Sequence, residues 1–156
     1  MALEIEYRFQ QLEKLVVTAQ QRGLDEEVAA YYCKLGCVMV CGNLERCIEI
    51  LLRERVGRRS VPQVAAFLAS YFKRGSNYDC DDIKDLLHRF DRNWGHLFEK
   101  FIEDNDLIRT SISSAYSVRN SVAHGGGSSL GPKVLKQYFD ASFTLIAELD
   151  SLLQKN

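Results

Sequence analysis

Residues 25–55, DEEVAAYYCKLGCVMVCGNLERCIEILLRER, decide the fold. The stretch opens with acidic residues, which suit the positive end of a helix dipole, and no proline or cap interrupts it. Between Val28 and Val40 it is apolar on nearly all sides, so we predict a long helix in the middle of a bundle. Gly36 and Gly42 are predicted to let neighbouring helices approach this one closely.

Helical periodicity, with helix start and stop signals, continues on both sides of this stretch. The other predicted helices run over residues 2–22, from Pro62 to about 74, from the acidic cluster at 79–82 to 90, onward from the capping residue Asp91, over 106–124 and over 132–154. No segment shows sustained strand alternation. The pattern predicts an all-α bundle of six or seven helices with a long second helix.

Length and composition are those of an ordinary globular protein. The chain has 156 residues, of which 46% are hydrophobic and 26% charged, enough for one well-buried core. We therefore expect a single helical domain over residues 1–156. The net charge of -1, from 20 basic and 21 acidic residues, gives no global attraction to nucleic acid. Any RNA contact must come from a local basic patch.

Five cysteines are present, and three of them recur every four residues, at Cys33, Cys37 and Cys41. This spacing stacks them along one face of an apolar helix, so we interpret them as reduced core thiols. Neither Cys47 nor Cys80 completes a paired zinc-ligand pattern. The sequence thus predicts no metal site and no cofactor.

The N-terminal stretch does not resemble a signal peptide, because Glu4, Glu6 and Arg8 interrupt any apolar run. No segment approaches the roughly 18 apolar residues of a membrane span. We expect a cytoplasmic protein with no membrane partner.

The chemistry is expected in the motif Arg119-Asn120-Ser121-Val122-Ala123-His124. His124 comes directly before the glycine-rich break at 125–129, so its ring can lie at a helix end that faces an opening. Asn120 lies about 40° round the helix from His124, and its amide is predicted to hold the imidazole. Arg119 lies about 140° away, so it converges with His124 only by reaching around the helix or if the last turn unwinds.

The run R-N-S-V-A-H-G resembles the R-x4-H signature of the HEPN superfamily, including the polar residue directly after the arginine. Residues 32–55, with Cys41-Gly42-Asn43-Leu44-Glu45 at their centre, resemble the second helix of the RiboL-PSP-HEPN subgroup. The piece from Phe90-Asp91-Arg92-Asn93-Trp94 to the motif is also similar to that subgroup. The resemblance covers nearly the whole chain and implies a HEPN-type helical bundle.

A metal-independent endoribonuclease is the activity that the resemblance implies. Family members pair as homodimers, which bring two motifs into one cleft. His124 would act as base or acid, Arg119 would clamp the phosphate, and the product would be a 2′,3′-cyclic phosphate. The biological role implied is a toxin or antiviral effector that cleaves cellular RNA and is restrained by a cognate antitoxin. An alternative is a non-catalytic HEPN dimer that serves as a binding or scaffolding module; the intact Arg119, Asn120 and His124 favour the enzyme.

Several of these residues could also be ordinary surface or helix-capping residues without a role in function. The resemblance implies that Glu45, on the helix facing the motif, orients Arg119, but a helical glutamate among charges is more often a solvated or paired surface group. On spacing alone, His124 would merely cap its helix. His88 and His96 are predicted to be exposed and without a role. The basic residues at 53, 55, 58 and 59, extended by 73 and 74, either guide RNA or form a solvated helix end.

Overall fold

The computed structural model describes residues 1–21, 23–57, 60–73, 77–125 and 129–154. Within these ranges the chain is all-α and contains no strand, as predicted. The helices are α1 (Leu3–Ala19), α2 (Glu26–Gly57), α3 (Pro62–Phe72), α4 (Cys80–Phe90), α5 (Arg92–Asp104), α6 (Asp106–Ala123) and α7 (Pro132–Gln154). The first helix ends at Ala19, so its predicted extension over residues 20 and 21 is wrong. The predicted ends of the first and third helices, at residues 22 and 74, lie outside the described residues.

Three aspartates start helices by capping them. Asp25, Asp79 and Asp91 each accept hydrogen bonds through Oδ1 from the backbone N–H groups two and three residues further on. These bonds satisfy N–H groups that have no partner inside the helix. Asp91 ends α4 and caps α5, so one residue joins the two helices. The predicted starts at these positions are confirmed.

The central helix is α2, which packs against α1, α3, α6 and α7. All five cysteines are free and buried, as expected of core thiols. Gly36 is buried, and a Cβ there would come within 2.7 Å of Leu135 and 2.9 Å of Leu15, so α7 and α1 need its small size. Gly42 is exposed and a Cβ on it would meet nothing within 4 Å, so the prediction of a close approach there is wrong.

One face of α2 is not buried, although the segment from Val28 to Val40 is apolar on nearly all sides and the helix lies in the middle of the bundle, as predicted. Five side chains on it are between 36% and 61% exposed: Val28, Tyr31, Leu35, Val38 and Met39. The described helices leave this face uncovered because α1, α6 and α7 pack on the other sides. We call these five residues the α2 stripe.

No helix in the described ranges combines the length and the apolar character that crossing a membrane would require.

Candidate active site

The motif lies on the last turns of α6 and just beyond its end. Arg119 and Asn120 are half-buried on the helix, and His124 follows it as the C-cap residue. The backbone N–H of His124 donates to the Asn120 carbonyl at 3.1 Å, and that of Gly125 to the Val122 carbonyl at 3.2 Å. Gly125 has φ +73°, a left-handed conformation that commonly ends helices. The His124 side chain is therefore exposed at a helix end.

The guanidinium of Arg119 is held by three neighbouring side chains. Its Nη1 donates to Asn77 Oδ1 at 2.8 Å and to Asn120 Oδ1 at 3.1 Å. Its Nη2 lies 3.7 Å from Glu45 Oε1 on α2. The Arg119 side chain is still 32% exposed. The planar group is thus fixed from α2, from α6 and from the residues before α4, while part of it faces solvent.

The carboxylate of Glu45 is the acidic partner in this arrangement. Its side chain is only 21% exposed, and burial raises the pKa of the Glu45 carboxyl, whereas the charge of Arg119 acts to lower it. The Tyr116 hydroxyl lies close enough to favour the charged carboxylate, although it falls short of hydrogen-bond geometry. Burial, followed by the charge of Glu45, raises the pKa of Tyr116. Tyr116 is therefore a neutral, buried support behind the ion pair.

A buried thiol fixes the helix of the motif against α2. Cys37 Sγ lies 3.3 Å from the carbonyl oxygen of Ala115, one turn before Arg119. The neighbouring Cys41 is also buried, and its contact with Cys37, together with burial, raises the pKa of the Cys41 thiol. The Cys37 contact joins α6 to α2 one turn before Arg119, whose guanidinium lies beside Glu45 of α2.

The structure brings together three of the sequence-predicted site residues. Arg119, Asn120 and Glu45 form one cluster. The Asn120 amide was expected to hold the imidazole of His124, but its Oδ1 accepts a hydrogen bond from Arg119 instead. The last turn of α6 stays helical through Ala123, and the Arg119 side chain turns toward Asn77 and Glu45.

Asn77 and Tyr116 are members of this cluster that the sequence did not indicate. Asn77 is 42 residues from Arg119 along the chain and sits in a polar segment with no motif. Tyr116 is one more apolar position on α6. Only the packing of α6 against α2 and against the residues before α4 shows that they contact the motif.

A basic run and the histidines His88 and His96 were also considered in the sequence as candidates for a functional role. Arg53 Nη1 pairs with Glu49 Oε1 at 3.0 Å, which partly neutralises the basic run. Its other predicted members at 58, 59 and 74 lie outside the described residues. His96 is exposed as predicted, but His88 is half-buried, so that prediction is wrong for His88.

A protein-family model described as RiboL-PSP-HEPN matches residues 3–155. The match spans all seven described helices and the motif. No curated protein and no solved structure shows significant similarity to the chain.

Proposed function

The chain belongs to the RiboL-PSP-HEPN family, and since HEPN domains are typically ribonucleases, we propose that it is a metal-independent endoribonuclease acting as a toxin or antiviral effector. The observation that carries the proposal is the Arg119 guanidinium. It is fixed by Asn77, Asn120 and Glu45 yet remains open to solvent, five residues before an exposed imidazole. A preorganised fork of N–H donors that remains open to solvent suits a phosphate under attack.

The proposed reaction is attack by an RNA 2′-hydroxyl on the neighbouring phosphorus. A base removes the 2′ proton, the O2′–P bond forms, the P–O5′ bond breaks and an acid protonates the leaving oxygen. The products are a 2′,3′-cyclic phosphate and a 5′-hydroxyl. Arg119 would stabilise the charge on the phosphorane oxygens. The motif of one chain has one imidazole, so two chains supply the base and the acid together.

The α2 stripe is the surface on which we expect the second copy to pack. Exposed apolar patches mark interaction sites, and the five side chains of the stripe form one helical face. Val38 and Glu45 are seven residues apart, so they lie on nearly the same face, two turns from each other. A partner chain lying along the stripe would therefore approach the Glu45–Arg119 pair, which is where a second imidazole is required.

We expect the purified protein to cut single-stranded RNA in excess EDTA and to leave 2′,3′-cyclic phosphate ends. An oligonucleotide of the same sequence with 2′-deoxyribose throughout should remain intact, because it lacks the attacking hydroxyl. Gel analysis with end-group mapping measures both. Cleavage of the deoxy substrate, 3′-hydroxyl ends or activity that disappears in EDTA would contradict the mechanism.

Leu35→Asp is expected to weaken self-association by about 100-fold, because a two-fold contact would set two carboxylates in an apolar interface at a cost of several kcal/mol. RNA cleavage should fall with the dimer population. Leu107→Asp is the matched control, since Leu107 is 69% exposed and lies at the start of a different helix, α6. Analytical ultracentrifugation gives the dimer Kd of each variant. A Leu35→Asp protein that stays dimeric and active would eliminate the stripe as the interface.

A non-catalytic HEPN dimer is the second candidate, and one observation favours it. Within a single chain the Arg119 side chain turns toward Asn77 and Glu45, and the side-chain oxygen of Asn120 accepts a hydrogen bond from Arg119. A dimer that is stable, harmless on expression and inactive on RNA would support this binding or scaffolding role. Toxicity on expression would support the nuclease and would imply a cognate antitoxin.

A further inference from the structure

A cluster of potential metal ligands lies on the α4–α5 hairpin, on different helices from the motif. His88 of α4 and His96 and Glu99 of α5 each offer one ligand atom, and these atoms all lie within 4.8 Å of one another. The two imidazole rings meet edge to face with centroids 4.9 Å apart. His96 Nδ1 lies 3.6 Å from Glu99 Oε2.

The hairpin is built so that these side chains meet. Because Asp91 alone joins α4 to α5, the end of the first helix lies against the start of the second. Gly95 is buried on α5, and a Cβ there would collide with the His88 imidazole, so the missing side chain makes room for the ring. His96 and Glu99 are three residues apart and share a helical face.

We propose that His88, His96 and Glu99 bind zinc or a similar divalent transition metal. Two imidazole nitrogens and one carboxylate oxygen form a common three-ligand set for Zn²⁺, with water at the fourth position. At Zn–ligand distances of about 2.0–2.1 Å, tetrahedral ligand atoms lie about 3.3 Å apart, so atoms that now lie within 4.8 Å of one another must close by at most about 1.5 Å. His96, whose side chain is 69% exposed, is free to make this adjustment.

A neighbouring lysine would orient the carboxylate ligand. Lys84 Nζ on α4 lies 3.9 Å from Glu99 Oε1, whereas Oε2 is the oxygen that faces His96. Partners of this kind around ligating carboxylates hold them in the binding orientation. The bound ion would link α4 to α5 and would stabilise the hairpin. It plays no part in the proposed RNA cleavage, which uses residues of α6 and needs no metal.

Calorimetric and thermal titrations test the site. Protein freed of metal by a chelator and kept reduced should bind about one Zn²⁺ per chain, and its Tm should rise with Zn²⁺ concentration because the ion binds the folded state. Mg²⁺, which prefers oxygen ligands, should leave the Tm unchanged. Co²⁺ should give the visible absorption of a protein-bound ion with nitrogen and oxygen ligands.

His96→Ala and Glu99→Gln should each weaken Zn²⁺ binding by at least about 10-fold, since even the supporting residues of metal sites have effects of that size. His124→Ala is the matched control. It removes the third histidine of the chain, which lies just beyond the end of α6, and should leave Zn²⁺ binding unchanged. Absence of Zn²⁺ binding would overturn the proposal. Unchanged binding in His96→Ala would also overturn it, by assigning the metal to other residues such as the cysteines.

Discussion

His124→Ala is expected to lower the rate of RNA cleavage by about 10²- to 10⁴-fold, measured at saturating RNA in EDTA. This is the usual contribution of one general acid or base, and the motif offers no other side chain suited to that role. The fold should survive, because the His124 side chain is exposed and the hydrogen bond of His124 to the Asn120 carbonyl uses the backbone N–H, which alanine retains.

Arg109→Ala is the control for this variant. Arg109 is an exposed cation on the same helix, paired with Asp81 at 3.2 Å and remote from the motif. Helicity and dimer Kd should match the wild type for both variants, and only His124→Ala should lose cleavage. Cleavage at the wild-type rate by His124→Ala would remove this residue from the mechanism.

Mixed dimers separate a shared site from two independent ones. In an equal mixture of wild-type and His124→Ala chains that pair at random, about a quarter of the dimers carry two imidazoles. If one imidazole serves as base and the other as acid, the cleavage rate of the mixture should be about a quarter of the rate of wild-type protein at the same total concentration. Activity at one half would indicate that each chain cuts RNA by itself.

The helical architecture could be predicted from the sequence because the residues that start and end helices act locally. Aspartate caps, the proline at position 62 and the glycine at 125 act within one turn, and they set helix ends with little help from tertiary contacts. Burial was harder to predict. The segment from Val28 to Val40 is apolar on nearly all sides. Which side stays exposed depends on where α1, α6 and α7 pack, so the sequence did not predict the α2 stripe.

The candidate site could be predicted only in part, because its contacts also depend on how the helices pack. Arg119, Asn120 and His124 were predicted from their positions at the end of a helix and from the resemblance, whereas Glu45 was predicted from the resemblance alone. The order of these residues along the chain does not show which of them are in contact. The third partner of the guanidinium, Asn77, comes from a segment without a motif. Nothing in the sequence indicated that His88 and His96 are close, because the α4–α5 hairpin, rather than their spacing, brings them together.

Arg119→Ala is expected to lower the cleavage rate by about 10²- to 10³-fold, the usual cost of removing one donor that stabilises transition-state charge. Arg119→Lys tests why the residue is arginine. Lysine keeps the charge but presents a single ammonium, which cannot bind Asn77, Glu45 and a phosphate in the planar geometry that the guanidinium allows. We expect Arg119→Lys to recover only a small part of the activity, and both variants to lose toxicity on expression.

Binding and catalysis can be separated in the His124→Ala background, in which RNA is not consumed. There, adding Arg119→Ala should weaken RNA binding by much less than it slows cleavage, because the guanidinium is proposed to act mainly on charge that develops in the transition state. Removing Arg119 also leaves the half-buried Glu45 without its cation, so Glu45→Gln with Arg119→Ala should regain stability without regaining cleavage. Full activity in that double variant would show that the pair is structural and that the phosphate is held elsewhere.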